Sequence, residues 1–291
     1  MTEANEPEVR VPRATTTGVA RRATAFEILA EAHHLLCRYA ATFAGIASIS
    51  VVPALALDLA SELLGVVDPF LLNLLLIARA GVFAANLLAI AAISCALRSV
   101  FGGDEPRVVG AVSEAMGVLG RLLWTYIVCT FGLSFGLVPV FLVGAPLVDA
   151  IGAVPVGLIL ALPGLYLVLS LTVIDQVVVF ERRRGTDALS RSWILMSGQR
   201  SKALLAMLGA MLLAVLGAAL LFMLWAGAVF LLTIASSPVA VKSGLGAAVT
   251  APAALAFFAL VLAYFEIVRA LIYLDIRTSV EAMTLADLRR Q

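Results

Sequence analysis

Six stretches of this chain run for 18 residues or more without a charged side chain, and that leaves few folds open. They are Tyr39–Leu57, Ala80–Leu97, Leu122–Val148, Ala150–Ile174, Ala203–Val241 and Ser243–Phe265. A helix needs about 20 apolar residues to cross roughly 30 Å of hydrocarbon. In lipid, only helices or closed barrels satisfy every backbone polar group. Apolar residues make up 62% of the chain and charged residues 13%. Soluble domains run nearer 45–50% and about 25%. An ordinary soluble enzyme, a disordered chain and a disulfide scaffold are therefore excluded. The fold class expected is all-α: a polytopic membrane protein with six transmembrane helices. The spans are expected at about 39–58, 70–97, 122–147, 151–176, 203–234 and 244–268. The fifth stretch is too long for one straight span, and Ser236-Ser237-Pro238 marks the loop that closes it. Pro53, Pro139, Pro155 and Pro163 fall within or near spans, which membrane helices tolerate.

Orientation follows from the placement of Lys and Arg. Eighteen of the twenty basic residues fall before the first span, in the second and fourth loops, or at the C-terminal end. Arg79 lies inside a span, and Lys242 alone lies on the opposite side. Both termini are therefore expected in the cytoplasm. Residues 1–23 mix Glu and Arg without an apolar run, so they form an expected disordered, uncleaved cytoplasmic tail rather than a signal peptide. Residues 24–288 form the membrane domain, and 289–291 the C-terminal end.

A short amphipathic segment precedes each odd-numbered span: Thr24–Arg38, Val108–Arg121 and Thr186–Met196. Thr24-Ala-Phe-Glu27 has the spacing of a capping box. Gly198 is the expected C-terminal stop of the third segment. Glu31-Ala32 followed by Arg38 repeats as Glu114-Ala115 followed by Arg121, with Arg191-Ser192 and Arg200 as a looser copy. The spacing suggests a threefold repeat of interfacial helix plus hairpin. Alternating topology would also place basic, amphipathic loops on the inside without any repeat.

The polar side chains allow two readings each. Arg79 costs at least about 2.5 kcal/mol at a span centre. It is a candidate site for an anionic solute or headgroup, with Asn73 and Asn86 nearby, or an Arg that snorkels to the interface or pairs with Asp68. Glu266, Arg269 and Tyr273 share one face of the last span, with Asp175 and Gln176 at a similar depth on the fourth. They form either a proton-coupled or headgroup site or a structural ion-pair cluster. Arg182, Arg183, Arg184, Arg191, Arg200 and Lys202 form a basic run just inside the membrane. Such runs attract anionic headgroups at about 1 kcal/mol per charge and also determine topology. Trp193 suits the headgroup level as an anchor. Glu27, Glu31 and His34 share a face but lack a second ligand set, and adjacent His33 and His34 point apart. Cys37, Cys95 and Cys129 form no CxxC pair and read as small buried hydrophobes. Gly102-Gly103-Asp104-Glu105-Pro106 is only a loop. No P-loop, nucleophile elbow, GxGxxG or zinc signature appears, so no metal, cofactor or nucleic acid is expected.

The stretch VVVFERRRGTDALSRSWILMSGQRSKALL (177–205) and the C-terminal ALIYLDIRTSVEAMTLADL carry a resemblance. They resemble the bacterial family named for the membrane domain of glycerophosphoryl diester phosphodiesterase. The matching residues are Ala188, Leu189, Ser192 and Trp193, then Gly198 and Arg200 with Gln199 inserted between them. A Y-x-D-x-R pattern follows the last span as Tyr273, Asp275 and Arg277, with Glu281 beyond. EILAEAHHLL looks like the family's opening helix, so the resemblance covers roughly residues 24–288. It implies a fold and a bacterial inner-membrane location. The phosphodiesterase activity of fused relatives belongs to a separate barrel domain with a His pair and metal-binding carboxylates, for which this chain has no room. The expectation is a non-enzymatic membrane protein that binds lipid, preferentially anionic lipid on the cytoplasmic side, or assists a membrane-protein partner or a second copy. The alternative is a solute or lipid transporter component with a site at Arg79 or at Glu266/Arg269.

Overall fold

The computed structural model describes residues 23–64, 69–235 and 245–280. The expected tail, the Ser236–Pro238 loop, Asp68, Lys242, Glu281 and the C-terminal end lie outside the described residues. Within them the chain is helical, without a strand, and six helices are long and apolar enough to cross a membrane.

α1 (Ala25–Arg38) opens on a complete capping box. Thr24 Oγ1 accepts from the Glu27 amide at 3.2 Å, and Glu27 Oε2 accepts from the Thr24 amide at 2.7 Å. Ile28, Ala32 and Leu35, at i, i+4 and i+7, form its buried stripe. Tyr39 ends it, and α2 (Ala40–Leu64) follows at once. α3 is Pro69–Gly102 and α4 is Val108–Ile151. Gly152 alone joins α4 to α5 (Ala153–Ser170). α6 (Ile174–Phe180), α7 (Thr186–Met196), α8 (Arg200–Ala235) and α9 (Leu245–Val280) complete the described elements.

Three features differ from the sequence expectation. Val108–Arg121 is not a separate interfacial helix. It forms the first turns of α4, because no turn or positive-φ residue separates it from the span, whereas Gly198 stops α7 with a φ of +78°. The amphipathic helices α1 and α7 are separate elements, whereas the corresponding segment of the second unit, with Ala111, Ala115 and Val118 buried at the spacing of Ile28, Ala32 and Leu35, is continuous with its span. The fourth span is broken at residues 171–173 into α5 and α6. Finally, α9 continues well past residue 268, because the charged side chains on its last turns find partners inside the protein.

α3 and α9 form the centre of the bundle, with α2 packed against both. From Ala263 to Ala270 and on to Leu274, α9 is buried on most sides. α8 is the reverse: Leu205, Leu208, Leu212, Leu216, Leu220 and Leu224 are exposed. An outward face of unbroken aliphatic residues is what hydrocarbon, not water, covers at low cost.

Candidate functional site

The break in the fourth span positions the polar interior. Ser170 Oγ donates to the Tyr166 carbonyl at 2.7 Å and Thr172 Oγ1 donates to the Val168 carbonyl at 3.0 Å. Such back-bonding competes with the helical ladder. The backbone tightens through Leu171–Val173, leaving carbonyls to be satisfied from elsewhere. Ser192 Oγ of α7 donates to the Ser170 carbonyl at 2.9 Å, and Arg269 Nε of α9 donates to the Thr172 carbonyl at 2.7 Å. Arg200 Nε of α8 donates to Ser170 Oγ at 2.9 Å, while its guanidinium lies over the Tyr166 and Trp193 rings. Elements α7, α8 and α9 thus converge on one interruption.

Immediately beyond it lies a buried ionic cluster. Arg269 pairs with Asp175, and its Nη1 donates to Glu266 Oε1 at 2.7 Å. Gln176 Nε2 donates to Glu266 Oε2 at 3.4 Å. The Tyr126 hydroxyl of α4 stands beside the Asp175 carboxylate. Asp175, Gln176 and Glu266 are at most 3% exposed. Two carboxylates therefore share one guanidinium away from water.

A second centre is Glu181, which the sequence marks only as the end of an apolar strip. It accepts from Arg191 Nε at 2.9 Å, Arg277 Nη1 at 2.6 Å and Tyr273 Oη at 3.1 Å, and Arg183 Nε lies at 3.1 Å. Phe180 stacks on Tyr273 with ring centroids 5.4 Å apart. Tyr273 thus belongs with Glu181, a turn away from the Glu266–Arg269 pair. Asp275 accepts from the Ala23 amide at 2.8 Å and pairs with Lys202, which ties the start of α1 and of α8 to α9. Among the remaining motif residues, Ala188 is buried and Leu189 is half-buried against the core, while Trp193 meets Tyr166 edge-on at 5.3 Å.

These pairings redistribute the basic run. Arg183, Arg191 and Lys202 are held by acidic side chains, and Arg200 is held by Ser170 and two rings. Their charged groups are thus engaged within the protein. Arg182 and Arg184 are exposed and make no ion pair among the described residues. Arg184 and Arg121 line a cleft of about 340 Å³ with Gly120 and Trp124. Its wall is shaped by Gly185, whose φ of +57° suits glycine and whose missing side chain leaves room for Trp124. The Gly185 amide donates to Thr125 Oγ1 at 2.8 Å, seating the loop on α4. Arg121 and Trp124 stand three residues apart on one helix face, and that spacing carries a signal which a charge count alone misses.

Arg79 and Asn73 are exposed on the N-terminal part of α3, apart from these centres, and Asn86 instead accepts from Ser50 Oγ at 3.0 Å. On α1, Glu27 is occupied by its cap, and His33 Nε2 lies 3.6 Å from Cys37 Sγ. Partial burial pushes the Glu31 carboxyl up, against an opposing pull from His34. Cys37 is exposed, whereas Cys95 is buried. No group of three His, Cys, Asp or Glu side chains suited to a metal occurs among the described residues. No known protein family, characterised protein or solved structure matches the chain.

Proposed function

We propose that this chain is a non-enzymatic multi-pass membrane protein that binds anionic lipid headgroups at its basic end and serves there as an accessory to a membrane partner. The cleft between Arg121, Trp124 and Arg184 carries the reading. Among the described residues, its two guanidiniums have no acidic partner, and they stand beside an exposed indole, a combination suited to the headgroup level. In this reading both termini are cytoplasmic and the membrane is the bacterial inner membrane. The chain is then a relative of the membrane-domain family it resembles. A transporter has less support. Arg79 lies on an exposed face, and Glu266 and Arg269 are taken up by each other and by Asp175.

Native mass spectrometry from mild detergent tests the proposal, with phosphatidylglycerol and phosphatidylcholine offered together. The wild type is expected to retain phosphatidylglycerol. Arg121→Gln with Arg184→Gln is expected to weaken that retention by roughly tenfold or more, from about 1 kcal/mol per charge. Arg79→Gln is the control and leaves it unchanged. Equal retention of both lipids, or retention indifferent to the double substitution, defeats the headgroup reading.

A further inference from the structure

We propose that Asp175 and Glu266 together hold a single proton, so that the break in the fourth span is a proton-binding site. The inference is independent of the headgroup cleft and begins with a charge count. Arg269 supplies one positive charge to two buried carboxylates, and a surplus negative charge in a low-dielectric interior is costly.

The surroundings do not remove the surplus. From α4, Tyr126 and Cys129 face Asp175, and both are neutral in their ordinary forms. α3 brings Cys95 and Arg98, and Arg98 pairs with Glu114. α7 brings exposed Asp187, and Arg191 bound to Glu181. On α9 itself, Asp275 is matched by Lys202 of α8; Arg200 of α8, bound to Ser170 Oγ and without an acidic partner among the described residues, lies on the other side of the break and offsets the surplus only in part. The Tyr264 hydroxyl of α9 donates to the Leu29 carbonyl of α1, and α2 carries no basic residue. The guanidiniums around Glu181 lie about 9 Å farther along α6, at 1.5 Å per residue. Arg183 among them is half exposed, where water screens it. They offset the surplus only in part.

One orphan acceptor completes the argument. Gln176 Oε1 is buried and carries no hydrogen-bond partner, while the Tyr126 hydroxyl stands beside Asp175 and can donate to it. A buried acceptor without a donor calls for one. A proton on either carboxylate supplies an O–H group. Gln176 can serve both states: its amide nitrogen donates to an ionised Glu266, and after a flip its oxygen accepts from the protonated acid. A proton also needs no cavity. An alkali cation would need several oxygens around it, next to the guanidinium that already occupies both carboxylates. The proton belongs to the pair rather than to one residue.

Infrared difference spectroscopy on the full-length protein in lipid nanodiscs reads this directly. The wild type at neutral pH is expected to show one protonated carboxylic acid band that shifts in deuterium oxide. Asp175→Asn and Glu266→Gln should each abolish it, since the remaining carboxylate then has Arg269 to itself. Both variants keep the cluster neutral, so both are expected to fold. Arg269→Gln should double the band. Two results overturn the proposal: a wild type without the band, whether or not its thermal stability rises specifically with sodium, or a band that survives in both single variants.

Discussion

Arg269 Nε donates to the Thr172 carbonyl at 2.7 Å, so a guanidinium from α9 closes the gap between α5 and α6. The same side chain pairs with both Asp175 and Glu266. One residue therefore holds both the interrupted backbone and the charges beside it. Replacing it with leucine should strand two buried carboxylates and a carbonyl. The expected loss is about 3–5 kcal/mol, the range for removing one partner of a buried pair. Lysine should restore only part of it, since an ammonium lacks the planar fork that reaches three acceptors. Thermal unfolding in detergent measures both, and a leucine variant as stable as the wild type would contradict the assignment.

Glu181 gathers side chains from α7 and α9 and the adjoining loop. Glu181→Gln keeps the shape but removes the charge that Arg191 and Arg277 face. We expect about 3 kcal/mol of destabilisation, with α7 loosened first. Hydrogen exchange resolved to 186–196 should rise more than exchange in the middle of α3. A uniform rise across the bundle would mean that Glu181 supports the whole fold rather than the docking of α7.

Lys202 and Asp275 couple α8 to α9 at a partly buried position. A double-mutant cycle of Lys202→Met and Asp275→Ala should give a coupling energy of roughly 1–2 kcal/mol, within the range for contacting residues. Asp275→Ala should cost more alone than Lys202→Met, because it also removes the acceptor of the Ala23 amide. The reverse order would place the weight of the contact on lysine packing.

Gly185 has a φ of +57°, and a Cβ there would lie 3.1 Å from Trp124 Nε1. Gly185→Ala should cost about 1–3 kcal/mol from backbone strain and displace the indole. A shift in tryptophan emission together with weaker phosphatidylglycerol retention is the expected pair of observations. Unchanged emission would mean that Trp124 is not held by this contact.

The long charge-free stretches make the six apolar helices legible in the amino-acid order alone. The capping box at Thr24 and Glu27 and the stop at Gly198 are equally local and equally readable. The break at residues 171–173 is not. No proline or glycine stands there, and it depends on Ser192, Arg200 and Arg269 supplying donors from other helices. The basic run is divided by packing for a related reason. A count of arginines cannot separate Arg191, bound to Glu181, from Arg184, which faces the cleft.

The sequence by itself determined how many helices can enter a membrane and that Glu266 and Arg269 share a helix face. Both follow from hydropathy and helical period, which are properties of neighbouring residues. Tertiary structure alone decided that Asp175 shares Arg269 with Glu266, that Tyr273 and Arg277 serve Glu181, and that Arg121 and Arg184 flank one cleft. Those pairings join residues on different helices, far apart along the chain. The energy of a buried charge depends on which partner packing brings within a few ångströms, and no local pattern encodes that choice.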